Sequence, residues 1–175
     1  MNAATVDRQL AAIMIIDVVG YSRLMGEDEE GTLETLKRLR ATVVAPQVAA
    51  YRGRIVKVMG DGAIIIFGSI IDAVNAGLAI QQAMDRFDAG PAPDEEIKLR
   101  IGLNLGDVMR EGTDVYGDGV NIAARLQEIC GPGGLVLSAS AHEQVNGKIA
   151  VEFHYGGEQT LKNIAQPVRI YRWPD

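Results

Sequence analysis

The stretch that most constrains this chain is Val56-Lys57-Val58-Met59-Gly60-Asp61-Gly62-Ala63-Ile64-Ile65-Ile66-Phe67. Two β-rich runs flank Gly60-Asp61-Gly62, which reads as a tight hairpin between antiparallel strands. The turn carries the Asp61 carboxylate out at its tip. Alone, an Asp-Gly pair is ordinary turn chemistry. It gains meaning from an earlier apolar run, Ile13 to Ile16, which also ends in a carboxylate, Asp17, followed by Val18-Val19-Gly20-Tyr21-Ser22. Two strand-end acids beside a Gly/Ser turn that leads into a helix suit a divalent cation and a polyphosphate.

The remaining sequence narrows the class. At 175 residues, with 47% hydrophobic and 23% charged residues, the chain is expected to form one globular domain over 1–175, with its core at about 8–173. A net charge of -6 without a basic block argues against nucleic acid or an anionic membrane surface as partner. It leaves an anionic small substrate open, because a local cluster overrides net charge. The single cysteine, Cys130, rules out an intrachain disulfide, suits a reducing cytoplasm and reads as a buried structural thiol. Leu10 to Ile16 is too short to span a bilayer and has no cleavage-site pattern after it, so the expected location is cytoplasmic.

In order, residues 8–18 read as a buried strand, followed by a short helix to about Met25. A longer helix runs from Glu29 to about Tyr51, kinked or broken at Pro46 and closed by Gly53. The hairpin occupies Arg54 to Phe67. The next helix, capped by Ser69 or Asp72, ends near Phe87, and Asp88 to Glu95 is a surface loop. A strand alternates through Ile97, Leu99, Ile101 and Leu103, and a second hairpin or arm spans Asp107 to Asp114 with Glu111-Gly112 at its turn. Gly117 to Ile129 is helical, Leu135 to Leu137 a strand, Ser138 to Val145 a short helix, and Val168 to Tyr171 the last strand. This order fits an α+β fold: a ferredoxin-like, split βαβ sandwich with an antiparallel-rich sheet and helices on one face.

The helix after Gly117 carries a second constellation. Asn121, Arg125 and Glu128 fall on one stripe of an otherwise largely apolar helix. Asparagine is a poor choice inside a helix, which sets Asn121 apart from an ordinary solvated face. Pattern alone still favours that solvated face.

Three motifs then resemble one family. They are Asp17-Val18-Val19-Gly20-Tyr21-Ser22-Arg23-Leu24, Lys57-Val58-Met59-Gly60-Asp61-Gly62, and Asp114-Val115-Tyr116-Gly117-Asp118-Gly119-Val120-Asn121-Ile122-Ala123-Ala124-Arg125-Leu126. Over about Arg8 to Trp173 the chain resembles the catalytic domain of class III nucleotide cyclases, the adenylyl and guanylyl cyclases. It looks closest to bacterial members in which that domain is joined to other modules. The resemblance implies that Asp17 and Asp61, with the Val18 carbonyl, hold two divalent cations, Mg²⁺ or Mn²⁺. Apart from the resemblance, the turn at Gly20, Tyr21 and Ser22 offers backbone N–H groups and a helix N-terminus to the phosphates. The resemblance implies that Lys57 and Asp114 read the base. Asn121 would orient the ribose, Arg125 would steady the transition state, and Lys162 would touch the terminal phosphates. It also implies a head-to-tail homodimer in which each site takes Asp17 and Asp61 from one chain and the other set from its partner. Tyr21 and Ser22 stand where Phe and Thr are common in the family.

The chemistry supports these roles independently. Two cations about 3.5–4 Å apart lower the pKa of an attacking hydroxyl and clamp departing oxygens. A forked, permanently charged arginine stabilises the charge growing around phosphorus. Adenine offers an acceptor at N1 and a donor at its amino group, matching a donor-only lysine and an acceptor-only aspartate; guanine reverses both signs. Polar matching of this kind discriminates by roughly 10⁴–10⁵. The expected substrate is therefore ATP, and the expected activity an adenylate cyclase making cyclic AMP for signalling. The alternatives are a guanylate cyclase, or a nucleotide-binding regulatory module without turnover. No histidine is needed, so His142 and His154 read as ordinary residues.

Overall fold

The structure, a computed structural model, describes residues 6–87 and 97–175. The expected loop from Asp88 to Glu95 lies outside the described residues. The elements are β1 (Asp7–Val18), α1 (Tyr21–Glu27), α2 (Glu29–Leu39), a π-helical turn (Arg40–Val44), α3 (Ala45–Ala50), β2 (Arg54–Met59), β3 (Gly62–Phe67) and α4 (Ile70–Met84). Then come β4 (Leu99–Glu111), β5 (Asp114–Tyr116), α5 (Asp118–Glu128), β6 (Leu135–Ser138), α6 (Ala139–Val145), β7 (His154–Gln159) and β8 (Val168–Trp173).

The eight strands form one sheet in the order β2-β3-β1-β4-β6-β8-β7, with β5 paired to β4. Only the β4–β6 pairing is parallel among those of the described strands; the other pairs are antiparallel. The sheet is mixed and the fold α+β, as expected. One detail differs. Along β1, Ala12, Met14 and Ile16 belong to one buried cluster with residues of α2, α3, α4 and α6. Ala11, Ile13 and Ile15 belong to another, with Val120 and Ala123 of α5. Successive strand residues point to opposite faces, so the sheet is covered on both sides, with α5 on the second. That explains why β1 and β3 read as continuous apolar runs instead of alternating.

Local chemistry sets the boundaries. Asp28 accepts from the Gly31 N–H at 3.0 Å to cap α2, and Ser69 rather than Asp72 caps α4. The Pro46 disruption is absorbed upstream: the ladder widens so that the Ala45 N–H reaches the Arg40 carbonyl. A π turn relaxes the clash between a proline ring and the carbonyl four residues before it. Past α3, Arg52 takes the left-handed backbone (φ 60°) expected of Gly53. Gly53 is there for space, since a Cβ would run into the Phe67 ring.

Two strands differ from expectation. β4 continues without a break to Glu111, and its hairpin with β5 turns at Gly112-Thr113, one residue later than the sequence suggests. β7 has no counterpart in the sequence reading; its Gly156-Gly157 forms the irregularity between Tyr155 and Glu158 in its pairing with β8. Cys130 is buried, and burial pushes its thiol pKa up. No helix among the described residues is long and apolar enough to cross a membrane.

Candidate active site

Sheet register brings the two acids together. In β1, Ile16 pairs with Ala63 of β3, which sets the Gly60-Asp61 turn beside the end of β1. Gly60 takes the positive φ (55°) that a two-residue hairpin needs at its first position. Gly62 lets the strands close: a Cβ there would lie 2.6 Å from the Ile16 carbonyl oxygen. Asp61 thus comes near enough to Asp17 to feel its charge. Burial, first, and then repulsion from Asp17 raise the Asp61 pKa, against backbone N–H groups of Asp61 and Val18 that lower it.

Asp17 is gripped from the neighbouring strand. It pairs in register with Arg100 of β4, whose Nε and Nη2 donate to its two carboxylate oxygens at 3.1 and 3.0 Å. Two mutually repelling carboxylates with hard oxygen donors fit Mg²⁺ or Mn²⁺. Among the described residues no cluster of three or more metal-binding side chains occurs. Magnesium held by one or two carboxylates, substrate phosphates and water does not require one. Gly20, left-handed at φ 72°, turns the chain into α1, and Tyr21 and Ser22 precede its first bond, Leu24 N–H to the Gly20 carbonyl at 3.0 Å.

A second group forms where β2 touches β5. Asp114 accepts from the Tyr116 hydroxyl at 2.9 Å and the Val115 N–H at 3.0 Å. Those bonds, in that order, and then the charge of Lys57 hold its pKa below the usual carboxylate value. Asp114 therefore stays an acceptor beside the donor Lys57.

The third group lines a cavity of about 270 Å³ between α5 and the loop before β8, with Asn121, Arg125, Glu128 and Lys162 on its wall. Arg125 donates from Nη1 to both Glu128 carboxylate oxygens (2.9 and 3.0 Å) and from Nε to the Lys162 carbonyl (3.1 Å). The metal-type acids are elsewhere: Asp61 lines a much smaller cavity of about 20 Å³ under α2 and the π turn. A larger one, about 440 Å³, adjoins the start of α5 and holds no expected site residue. Its Asn104 is fully engaged, donating to the Gly119 carbonyl at 3.0 Å and accepting from Ser138 Oγ at 2.6 Å.

Every expected site residue thus falls into one of three groups, and among the described residues the cavities that hold Asp61 and Arg125 are separate. The residue missed is Arg100. In the alternation of Ile97, Leu99, Ile101 and Leu103 it falls on the outward phase, where a cation is unremarkable, and its partner lies 83 residues away in sequence. Its Nη1 also reaches the Glu128 carbonyl at 3.4 Å, tying the acid pair to the end of α5.

The family model for the adenylate and guanylate cyclase catalytic domain matches residues 5–172. The chain belongs to this family. "Putative adenylate cyclase 3" of Rhizobium meliloti (strain 1021) is 43% identical over 173 residues, 99% of this chain and 30% of that protein. An "Adenylate/Guanylate Cyclase/Hydrolase" structure from Silicibacter pomeroyi is 38% identical, with a TM-score of 0.89 over 98% of this chain and 100% of its own. The adenylyl cyclase CyaB from P. aeruginosa, at 22% identity, shares the cyclase fold with a TM-score of 0.84 over 96% and 95%. The cyclase domain spans about a third of the length of the curated relatives it matches.

Proposed function

We propose that this cyclase domain is an adenylate cyclase. It converts ATP to 3′,5′-cyclic AMP and pyrophosphate at two equivalent sites shared across a head-to-tail homodimer. The observation that supports turnover, beyond mere nucleotide binding, is the pair Asp17 and Asp61, brought side by side by the register of β1 on β3.

Asp17, Asp61 and the Val18 carbonyl would hold two divalent cations. Such ions, when bound, supply Lewis-acid charge that acidifies the ribose 3′-hydroxyl and clamps the departing oxygens. The protein's own residues do the rest. Lys57 donates to adenine N1 and Asp114 accepts from its amino group, which disfavours guanine on both atoms. Asn121 orients the ribose so that its 3′-oxygen faces the α-phosphorus in line. The new bond joins that oxygen to phosphorus, the bond to the β-phosphate oxygen breaks, and the hydroxyl proton passes to solvent. Arg125 neutralises charge on the oxygens around phosphorus, and Lys162 meets the departing pyrophosphate.

The separate cavities of Asp61 and Arg125 support the shared site. With both half-sets on one chain, a two-fold pairing completes two sites. The longer relatives support a domain that works joined to further modules. The test is product analysis with Mn²⁺ and ATP or GTP, followed by complementation. Asp61→Ala and Arg125→Ala should each be inactive. Mixed and exchanged, half the dimers are heterodimers with one intact site each, so activity should return to roughly a quarter of wild type. A mixture that stays dead while exchange is demonstrated would overturn the shared site.

A further inference from the structure

Arg125 is held more tightly than an exposed helical arginine needs to be. Glu128, one turn on, takes Nη1, and the Lys162 carbonyl takes Nε. That carbonyl belongs to a β-turn, Leu161 to Ile164, closed by the Ile164 N–H on the Leu161 carbonyl at 3.1 Å. Its third residue, Asn163, has φ 63°; among the described residues only Arg52 shares that left-handed backbone without being glycine. A positive φ at the third position alone marks a type II turn, in which the central peptide is flipped over relative to type I. The flip decides which way the Lys162 carbonyl points. Asparagine is among the few side chains besides glycine that take this backbone readily.

We infer that Asn163 and Glu128 are positioning residues for Arg125. The left-handed Asn163 aims the Lys162 carbonyl at Nε, and Glu128 fixes Nη1. Nη2 is thereby left to point toward charge that develops on the nucleotide. A guanidinium fixed on two sides needs no reorganisation at the moment of reaction, which is where its electrostatic value is greatest. The two holds also fill one hydrogen-bonding group on either side of Nη2, so Arg125 meets phosphate end-on through Nη2 and not through a full fork. Strained non-glycine backbone persists where the surroundings over-determine it, and here those surroundings line the cavity of Asn121, Arg125 and Lys162.

This inference rests on the reading of Arg125 as the group that meets the reacting phosphate, so Arg125→Ala is the reference. Asn163→Gly keeps the turn and should stay within about twofold of wild type. Asn163→Val, β-branched and opposed to positive φ, should lower kcat about 10- to 100-fold with KM for ATP changing less than threefold. Glu128→Gln keeps one acceptor and should lose little, whereas Glu128→Ala should lose about tenfold in kcat. The Arg125 Nε–H resonance should show protection from hydrogen exchange in wild type and Asn163→Gly, and lose it in Asn163→Val. Should Asn163→Val fail to fold, Asn163→Ala and Glu128→Ala carry the same test. Undiminished kcat in Asn163→Val beside a dead Arg125→Ala would overturn the inference, as would Asn163→Gly being equally impaired or a change confined to KM. An Arg125→Ala variant with full kcat would instead sink the functional reading beneath it.

Discussion

The Asp17–Asp61 region and the Arg125 region are both built from short charged clusters, yet they are fixed by different means. The acids sit at strand ends, and their spacing follows from β1–β3 and β1–β4 register. Backbone ladders hold them, with Arg100 as the side chain that braces Asp17. Arg125 stands on the edge of α5, and its direction depends on one carboxylate and one loop carbonyl. The first region should therefore tolerate changes around it until the strands move, and the second should respond to each neighbour separately. The proposed chemistry matches this division, because ligand spacing must be rigid whereas transition-state contacts need aim.

The strongest way to break the comparison is to remove a carboxylate. Asp61→Ala should abolish turnover, a loss of at least about 10³-fold given several kcal/mol of transition-state charge stabilisation. Its unfolding midpoint should change little, since Asp61 lies in a turn. A thermal melt beside a cyclic AMP assay checks both.

Moving the strands should come next. Gly62→Ala drives a Cβ toward the Ile16 carbonyl, and overpacking of this kind costs about 1–3 kcal/mol. By separating Asp17 from Asp61 it should also lower kcat about 10²-fold. Normal activity with normal stability would show that register does not set the acid spacing.

Lys57→Glu with Asp114→Cys should leave the fold intact and cut the preference for ATP over GTP by about 10²–10⁴-fold. Each charge-assisted hydrogen bond to the base is worth about 1.5–3 kcal/mol. Retained preference would move base reading elsewhere.

The smallest effect belongs to Tyr116→Phe. It removes the largest cause of the lowered Asp114 pKa, so that carboxyl should titrate at higher pH in the variant. Its ability to accept from adenine would then fade at a higher pH as acid is added. At neutral pH activity should stay within about tenfold of wild type. Carboxyl NMR of Asp114 in both proteins measures the shift directly.

The sequence made local features legible and long-range ones obscure. The hairpin tip, the cap at Ser69 (one of the two offered, with Asp72) and the helix after Gly117 are written in neighbouring residues, and they stand where expected. The candidate site residues other than Lys162 were legible because each lies in a contiguous motif; which motifs meet in space was not. β7 escaped notice because His-Tyr-Gly-Gly-Glu-Gln has no apolar alternation; its pairing with β8 makes it a strand. Arg100 escaped because its meaning lies in which strand sits beside it. The placement of α5 on the second face is likewise written in Gly102, where a Cβ would collide with the Ala123 carbonyl and the Gln127 backbone. A glycine in a strand pattern signals close approach, but not of what.

That close approach has a mechanical side. Gly102 and Gly119 let helix and strand meet backbone to backbone, with no cushion of side chains to slide on. Arg100 adds a cross-brace from the strand-end acid to the helix end. The helix therefore cannot act as a piston against its own sheet. In the proposed homodimer, Asp17 serves one site and Arg125 the other, so this stiff beam runs from one catalytic centre to its twin. On that reading, closing one centre would turn the whole protomer, and the turn would be felt at the second. A module fused to such a domain would control it by applying torque to a rigid body, not by bending any part of it.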